Sequence, residues 1–124
     1  MVFPGTPNAV VKITSYEHDE AGITVEDPQA TETMLNKRFQ KTETIKSALP
    51  NFETIKVYGD TNSKNVLLFW GSTKGAVLEA YERYLDLEVK MIQVVWMEPF
   101  DTERLTKELK GAKNIINIEC NQIG

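Results

Sequence analysis

Gly71-Ser72-Thr73-Lys74-Gly75 combines small, hydroxyl-bearing and cationic residues in a run suited to holding an anion. The run follows the apolar stretch Val66-Leu67-Leu68-Phe69-Trp70 and precedes residues with helical spacing. A helix start presents unpaired backbone N–H groups and the positive end of the helix dipole, and both favour phosphate or carboxylate. The order Gly-x-x-x-x-Gly-Lys-Ser/Thr of a P-loop is absent, as is Gly-x-Gly-x-x-Gly. The alternative reading is a tight turn in which Ser72 or Thr73 caps the helix. Gly71, Ser72, Thr73, Lys74 and Gly75 are therefore an anion-site candidate beside that plainer role.

Glu17-His18-Asp19-Glu20 is the densest polar cluster, and His18 is the sole histidine. A histidine among carboxylates can bind a metal or act as a base. Four adjacent residues do not readily converge on one ion, so a solvated arm or a contact to another domain is expected instead. With Tyr16, the residues Glu17, His18, Asp19 and Glu20 form the interface candidate. Asp60, Asn62 and Asn65 contain the carboxylate and amides of a magnesium–diphosphate site, but they sit in a polar turn and read as a loop. Cys120 is the only cysteine, so these thiolates alone can hold neither a disulfide nor an iron–sulfur cluster. No catalytic residue and no metal ligand is assigned.

These residues need elements to position them. Residues 1–28 are rich in turn formers and charge, with one strand-like stretch, Val10-Val11-Lys12-Ile13. They read as an extended polar arm or linker. From Gln29 to Leu49 there is no proline or glycine, and Met34, Leu35, Phe39, Ile45, Ala48 and Leu49 share one half of a helical wheel. Pro50 ends that helix.

Residues 54–58 alternate like a strand. The unbroken apolar run at 66–70 marks a strand buried on both faces. Ala76, Val77, Ala80, Tyr81 and Tyr84 make a helical stripe. Strands near 89–96 and 114–119 flank a helix carrying Leu105 and Leu109, with Asp101 as its N-cap and Gly111 at its end. Strand, helix, strand, helix, strand with right-handed crossovers gives a parallel sheet covered by helices, in an α/β domain over 29–124. No helix follows the third of these strands, so either the chain is expected to stop short of it, as a fragment of a longer subunit, or a neighbouring domain supplies the cover.

Composition narrows the function classes. Fourteen basic and 18 acidic residues give a net charge of -4 in 124 residues, which argues against a nucleic-acid partner. The N-terminus lacks a signal-peptide pattern, and no apolar run approaches the roughly 20 residues of a membrane span. A cytoplasmic location is expected, with no membrane partner.

Several stretches together resemble one family. Ser15-Tyr16-Glu17-His18-Asp19-Glu20-Ala21-Gly22 with Glu26-Asp27-Pro28, then Phe69-Trp70-Gly71-Ser72-Thr73-Lys74-Gly75, Glu98-Pro99-Phe100 and Glu119-Cys120-Asn121-Gln122-Ile123-Gly124 occur in order. They resemble the second domain of 2-oxoacid:ferredoxin oxidoreductase alpha subunits. The resemblance implies a transketolase C-terminal-like fold, a three-layer α/β/α domain with a mostly parallel mixed sheet of about five strands. It implies a parent complex using thiamine diphosphate, magnesium, iron–sulfur clusters and coenzyme A, with ferredoxin as electron acceptor. The partners implied are the rest of the alpha subunit and the beta subunit. No family catalytic residue maps onto this sequence.

The leading expectation is a non-catalytic structural and assembly domain of such an oxidoreductase, inactive alone. One alternative is the equivalent domain of a transketolase or of a thiamine-dependent dehydrogenase beta subunit. Another is a free-standing α/β domain that binds an anion or nucleotide at Gly71–Gly75.

Overall fold

The computed structural model describes residues 3–11, 14–84 and 86–121. Helix α1 spans Pro28–Ala48 and runs into a 3-10 turn at Leu49–Asn51. Strand β1 is Ile55–Gly59, β2 is Asn65–Trp70, α2 is Thr73–Arg83 and β3 is Lys90–Val94. Helix α3 is Thr102–Leu109 and β4 is Asn114–Ile118. Contacts within the chain group into two units, 1–44 and 45–124, divided inside α1.

Helix α1 starts where Asp27 and Pro28 direct it. Proline at the first helical position loses no intrahelical bond, and its fixed φ suits a helix. The Asp27 carboxylate accepts from the Ala30 backbone N–H at 2.7 Å, an N-cap.

In the second unit the sheet order is β1-β3-β2-β4. β2 pairs in parallel with β3 and with β4, and β1 runs antiparallel to β3. Every residue of β3 is buried, because β3 has a strand on each side and a helix over each face. Phe69, Val77, Val89 and Met91 form the core under α2. Ile55, Val66 and Ile92 form the core on the opposite face, with Leu105 and Leu109 of α3 packed on it. The domain is thus three-layered α/β/α.

The sheet has four strands where the family resemblance implied about five. The residues themselves supply three apolar runs and one alternating run, and each became a strand. Val10 and Val11 do not form a strand and are exposed; Lys12 and Ile13 of that expected strand lie outside the described residues. β4 is an edge strand whose Ile115 and Ile116 remain exposed on opposite faces.

Two polar anchors fasten α3 to the strands beneath it. Thr54 is fully buried. Its carbonyl accepts from the Val95 and Trp96 N–H groups at 2.9 and 3.2 Å, and its hydroxyl donates to Asp101 at 2.6 Å. Asp101 in turn caps α3 by accepting from the Arg104 N–H at 3.0 Å. The Thr54 hydroxyl, and then the Arg104 N–H, hold the Asp101 carboxyl below its ordinary pKa. The second anchor is Lys90 of β3, whose buried ammonium donates to the Glu108 carboxylate at 2.6 Å and to the Glu108 carbonyl at 2.8 Å. Gly59 ends β1 at φ 74, and a Cβ there would stand 2.5 Å from the Val89 carbonyl oxygen. Only glycine lets the two backbones approach this closely.

These anchors give two expectations, checked by urea unfolding. Thr54→Val keeps the shape, removes a hydrogen bond to a charged group, and should cost about 1–2 kcal/mol. Glu108→Ala should cost about 3 kcal/mol by leaving the Lys90 ammonium with one carbonyl, whereas Lys90→Met combined with Glu108→Leu should stay within about 1 kcal/mol of the parent.

Candidate functional site

The Tyr16–Glu20 cluster lies on a small hairpin. Asp19 N–H donates to the Ile23 carbonyl at 2.9 Å, Gly22 N–H to the Asp19 carbonyl at 3.0 Å, and Val25 N–H to the Glu17 carbonyl at 3.0 Å. Gly22, at φ 82, takes the left-handed position such a three-residue loop requires. Asp19 supplies the turn chemistry: its carboxylate accepts from the Ala21 and Ile23 N–H groups, each at 2.9 Å.

Glu17 ties the hairpin to α1. Both of its carboxylate oxygens accept from the Arg38 guanidinium, one of them at 3.0 Å, in a forked pair. The His18 backbone N–H adds a third bond at 3.1 Å. The Arg38 hydrogen bonds, with that N–H second, lower the Glu17 pKa to about 2. Of the five interface candidates, Glu17 and Asp19 are thus occupied in holding the arm together. Tyr16, His18 and Glu20 face outward. Among the described residues no group of three His, Cys, Asp or Glu is placed to hold a metal ion.

The Gly71–Gly75 turn sits at the carboxyl end of β2. Gly71 has φ 56, and the Lys74 N–H donates to its carbonyl at 3.3 Å. Neither expected cap forms. Ser72 occupies the N-cap position without a side-chain bond, and the Thr73 hydroxyl donates backward to the Trp70 carbonyl at 2.6 Å. That bond seals the strand–helix junction and buries Thr73, while Gly71, Ser72, Lys74 and Gly75 stay exposed. β2 and β3 are neighbours whose following helices cover opposite faces, so the turn borders the crevice where open α/β sheets hold ligands.

The Asp60 turn and Asn65 do not fit a magnesium–diphosphate group. The Asp60 carboxylate accepts from the Asn62 N–H at 2.9 Å, and the Asn65 side-chain oxygen accepts from the Asn114 amide at 2.8 Å. Cys120 is exposed and is the chain's single thiol.

Two concavities had no counterpart in the sequence reading. One, of about 820 Å³, lies between the 3-10 turn and α3 and is lined by Lys46, Phe52, Phe100, Glu103, Arg104 and Lys107 among others. The other, of about 260 Å³, is an apolar groove between α2 and β4 that includes Leu67, Ala80, Tyr81 and Ile118. The sequence reading of that helix rested on Leu105 and Leu109, and nothing local placed Phe52 beside it.

Relatives account for the arrangement. The chain is 37% identical over 118 residues to a 2-oxoacid:ferredoxin oxidoreductase subunit alpha from Saccharolobus solfataricus, covering 94% of this chain and 19% of that protein. It is 34% identical over 119 residues to the alpha subunit of 2-oxoacid:ferredoxin oxidoreductase 2 from Aeropyrum pernix, covering 94% and 18%. The chain is homologous to a segment of the 2-oxoacid:ferredoxin oxidoreductase alpha subunit. It spans about a fifth of the length of the curated relatives it matches.

A solved 2-oxoglutarate:ferredoxin oxidoreductase from Magnetococcus marinus, with 2-oxoglutarate, coenzyme A and succinyl-CoA bound, superposes with a TM-score of 0.60 at 32% identity. It covers 100% of this chain and 22% of that one. No family model matches. The resemblance read from the ordered stretches is therefore supported by oxidoreductase relatives across nearly the whole chain.

The forked Glu17–Arg38 pair predicts a pH dependence for the alpha-subunit homologue's arm. Because the folded pKa lies below the ordinary 4.5, the pair stabilises the hairpin above that pH. Its contribution is lost as pH falls from about 4.5 to about 2. A carboxyl-detected NMR titration should show Glu17 protonating near the lower value, and Arg38→Ala should return it toward the upper one.

Proposed function

We propose that this chain is a non-catalytic structural and assembly domain of a thiamine-diphosphate-dependent 2-oxoacid:ferredoxin oxidoreductase, the complex that oxidatively decarboxylates a 2-oxoacid and passes electrons to ferredoxin. One observation carries the proposal: homology extends over 94% of the chain yet reaches only 19% of the alpha subunit. A segment of that share supplies part of a subunit's architecture.

The duties of the polar residues agree. The carboxylates whose pKa values are lowered, Glu17 and Asp101, are held in a hairpin clasp and a helix cap. The buried ammonium of Lys90 is clamped by Glu108. Asp101 and Glu108 border the cleft beside α3, but each is committed to a partner within the fold. Thiamine diphosphate, magnesium, iron–sulfur clusters and coenzyme A belong, in this reading, to the parent complex. The residues of this chain do not fit the first three: one thiol cannot build a cluster, and the Asp60 and Asn65 groups are committed within their own loops. The partners are the rest of the alpha subunit and the beta subunit, in the cytoplasm. No helix among the described residues is long and apolar enough to cross a membrane.

Assay of the isolated chain with a 2-oxoacid, thiamine diphosphate, magnesium, coenzyme A and ferredoxin or a viologen dye checks this. No turnover is expected above the protein-free rate, while the assembled oxidoreductase reduces the acceptor. Sustained reduction by the chain alone would overturn the proposal.

A further inference from the structure

We infer that two copies of this chain pair edge to edge through β4, antiparallel about Ile116, joining their four-stranded sheets into one continuous sheet. This pairing is independent of the assembly reading above.

β1 and β4 are the two edges of the sheet. β1 is protected: only its last residue is exposed, and the Lys56 ammonium on it is held by Glu53 at 3.0 Å. Charge and cover on an edge strand discourage further pairing. β4 has neither. Its sequence, Asn114-Ile115-Ile116-Asn117-Ile118, contains no charge and no proline, and its first four residues are exposed. Ile115 is 51% exposed on one face and Ile116 is 60% exposed on the other. An element laid over one face would shield one isoleucine. A strand added at the edge shields both, because its own side chains flank those of β4 on each face.

The backbone fixes how such a strand joins. The Asn114 N–H donates to the Lys64 carbonyl, just before β2. Backbone groups alternate sides along a strand, so Asn114, Ile116 and Ile118 bond toward β2 in the parallel register. The N–H and carbonyl groups of Ile115 and Asn117 are left on the open edge. In an antiparallel pair centred on Ile116, Ile115 of each copy faces Asn117 of the other, and each such pair exchanges both its N–H···O bonds. Every residue of β4 is then matched.

The strand is complementary to itself in that register. Ile116 meets its own counterpart on the two-fold axis, in the non-hydrogen-bonded position where Cα atoms lie about 4.5 Å apart. Lys113, just before β4, falls opposite Glu119, just after it, and the symmetry repeats the match. Lys113 is exposed, and Glu119 keeps one buried carboxylate oxygen without a hydrogen-bond partner. Parallel pairing of two copies in register would set Lys113 against Lys113 and Glu119 against Glu119. Opposite charges across paired strands are stabilising and like charges are not. Charge therefore selects the antiparallel arrangement, and a surface that matches itself under a two-fold takes a second copy.

Sedimentation equilibrium of the 124-residue chain tests this. The weight-average mass should rise from one chain toward two between about 10 μM and about 1 mM, as befits a small interface. Ile116→Lys sets two ammonium groups together on the axis and should leave one-chain mass throughout. Its circular dichroism and melting should match the dilute parent, because Ile116 is on the surface. Lys113→Glu and Glu119→Lys should each weaken association about tenfold. Mixed together, those two variants should associate as the parent does, since both opposite-charge contacts return. In a Cys120→Ser background, Ile116→Cys should cross-link into a disulfide dimer under mild oxidation, the Cα spacing being suitable.

One-chain mass for the parent up to about 1 mM overturns the inference. So does a dimer that Ile116→Lys leaves unweakened, or a mixture of the two charge variants that associates no better than either alone. None of these results bears on turnover, which remains the measure of the assembly reading.

Discussion

The burial of β3 governs the second unit. Its five residues are covered by α2 on one face and α3 on the other, and its edges are taken by β1 and β2. Such a strand must satisfy every backbone group through its neighbours and every side chain through the two helices. That requirement places Met91 in one core and Ile92 in the other. It also explains why Lys90 needs Glu108 and why Gln93 accepts from the Tyr58 hydroxyl at 2.9 Å. α3 is held at both ends, by Thr54 through Asp101 at its start and by Lys90 through Glu108 near its finish.

The interior of the sheet is thus closed, and the open surfaces lie at its periphery. β4 exposes isoleucines on both faces, and the cleft beside α3 exposes Phe52 and Phe100. The curated relatives are about five times as long as this chain. The charged hairpin follows the same logic in reverse. Its acidic residues look available in the sequence, yet two of them hold the arm in shape.

Much of the fold was legible because its signals are local. The helix read at 29–49 occupies Pro28–Ala48, and the apolar run at 66–70 is β2. Asp101 capped the helix expected to follow it. The side-chain cap expected at Ser72 or Thr73 did not form: Ser72 has helical rather than extended φ/ψ, and Thr73 is already the first helical residue, its hydroxyl donating back to the Trp70 carbonyl. The fifth strand, inferred from family resemblance and not from the residues, has no counterpart among the described strands.

Sequence alone determined most of the helices and strands from residue 28 onward, since periodicity and turn chemistry act between residues a few positions apart. It also carried enough ordered motif to point to the oxidoreductase relatives. Only the tertiary structure decided the strand order, the pairing of Lys90 with Glu108 across 18 positions, and the joining of Thr54 to Asp101 across 47. The cleft belongs to this second group, because Phe52 and Arg104 become neighbours only after a sheet and two crossovers have closed the distance between them.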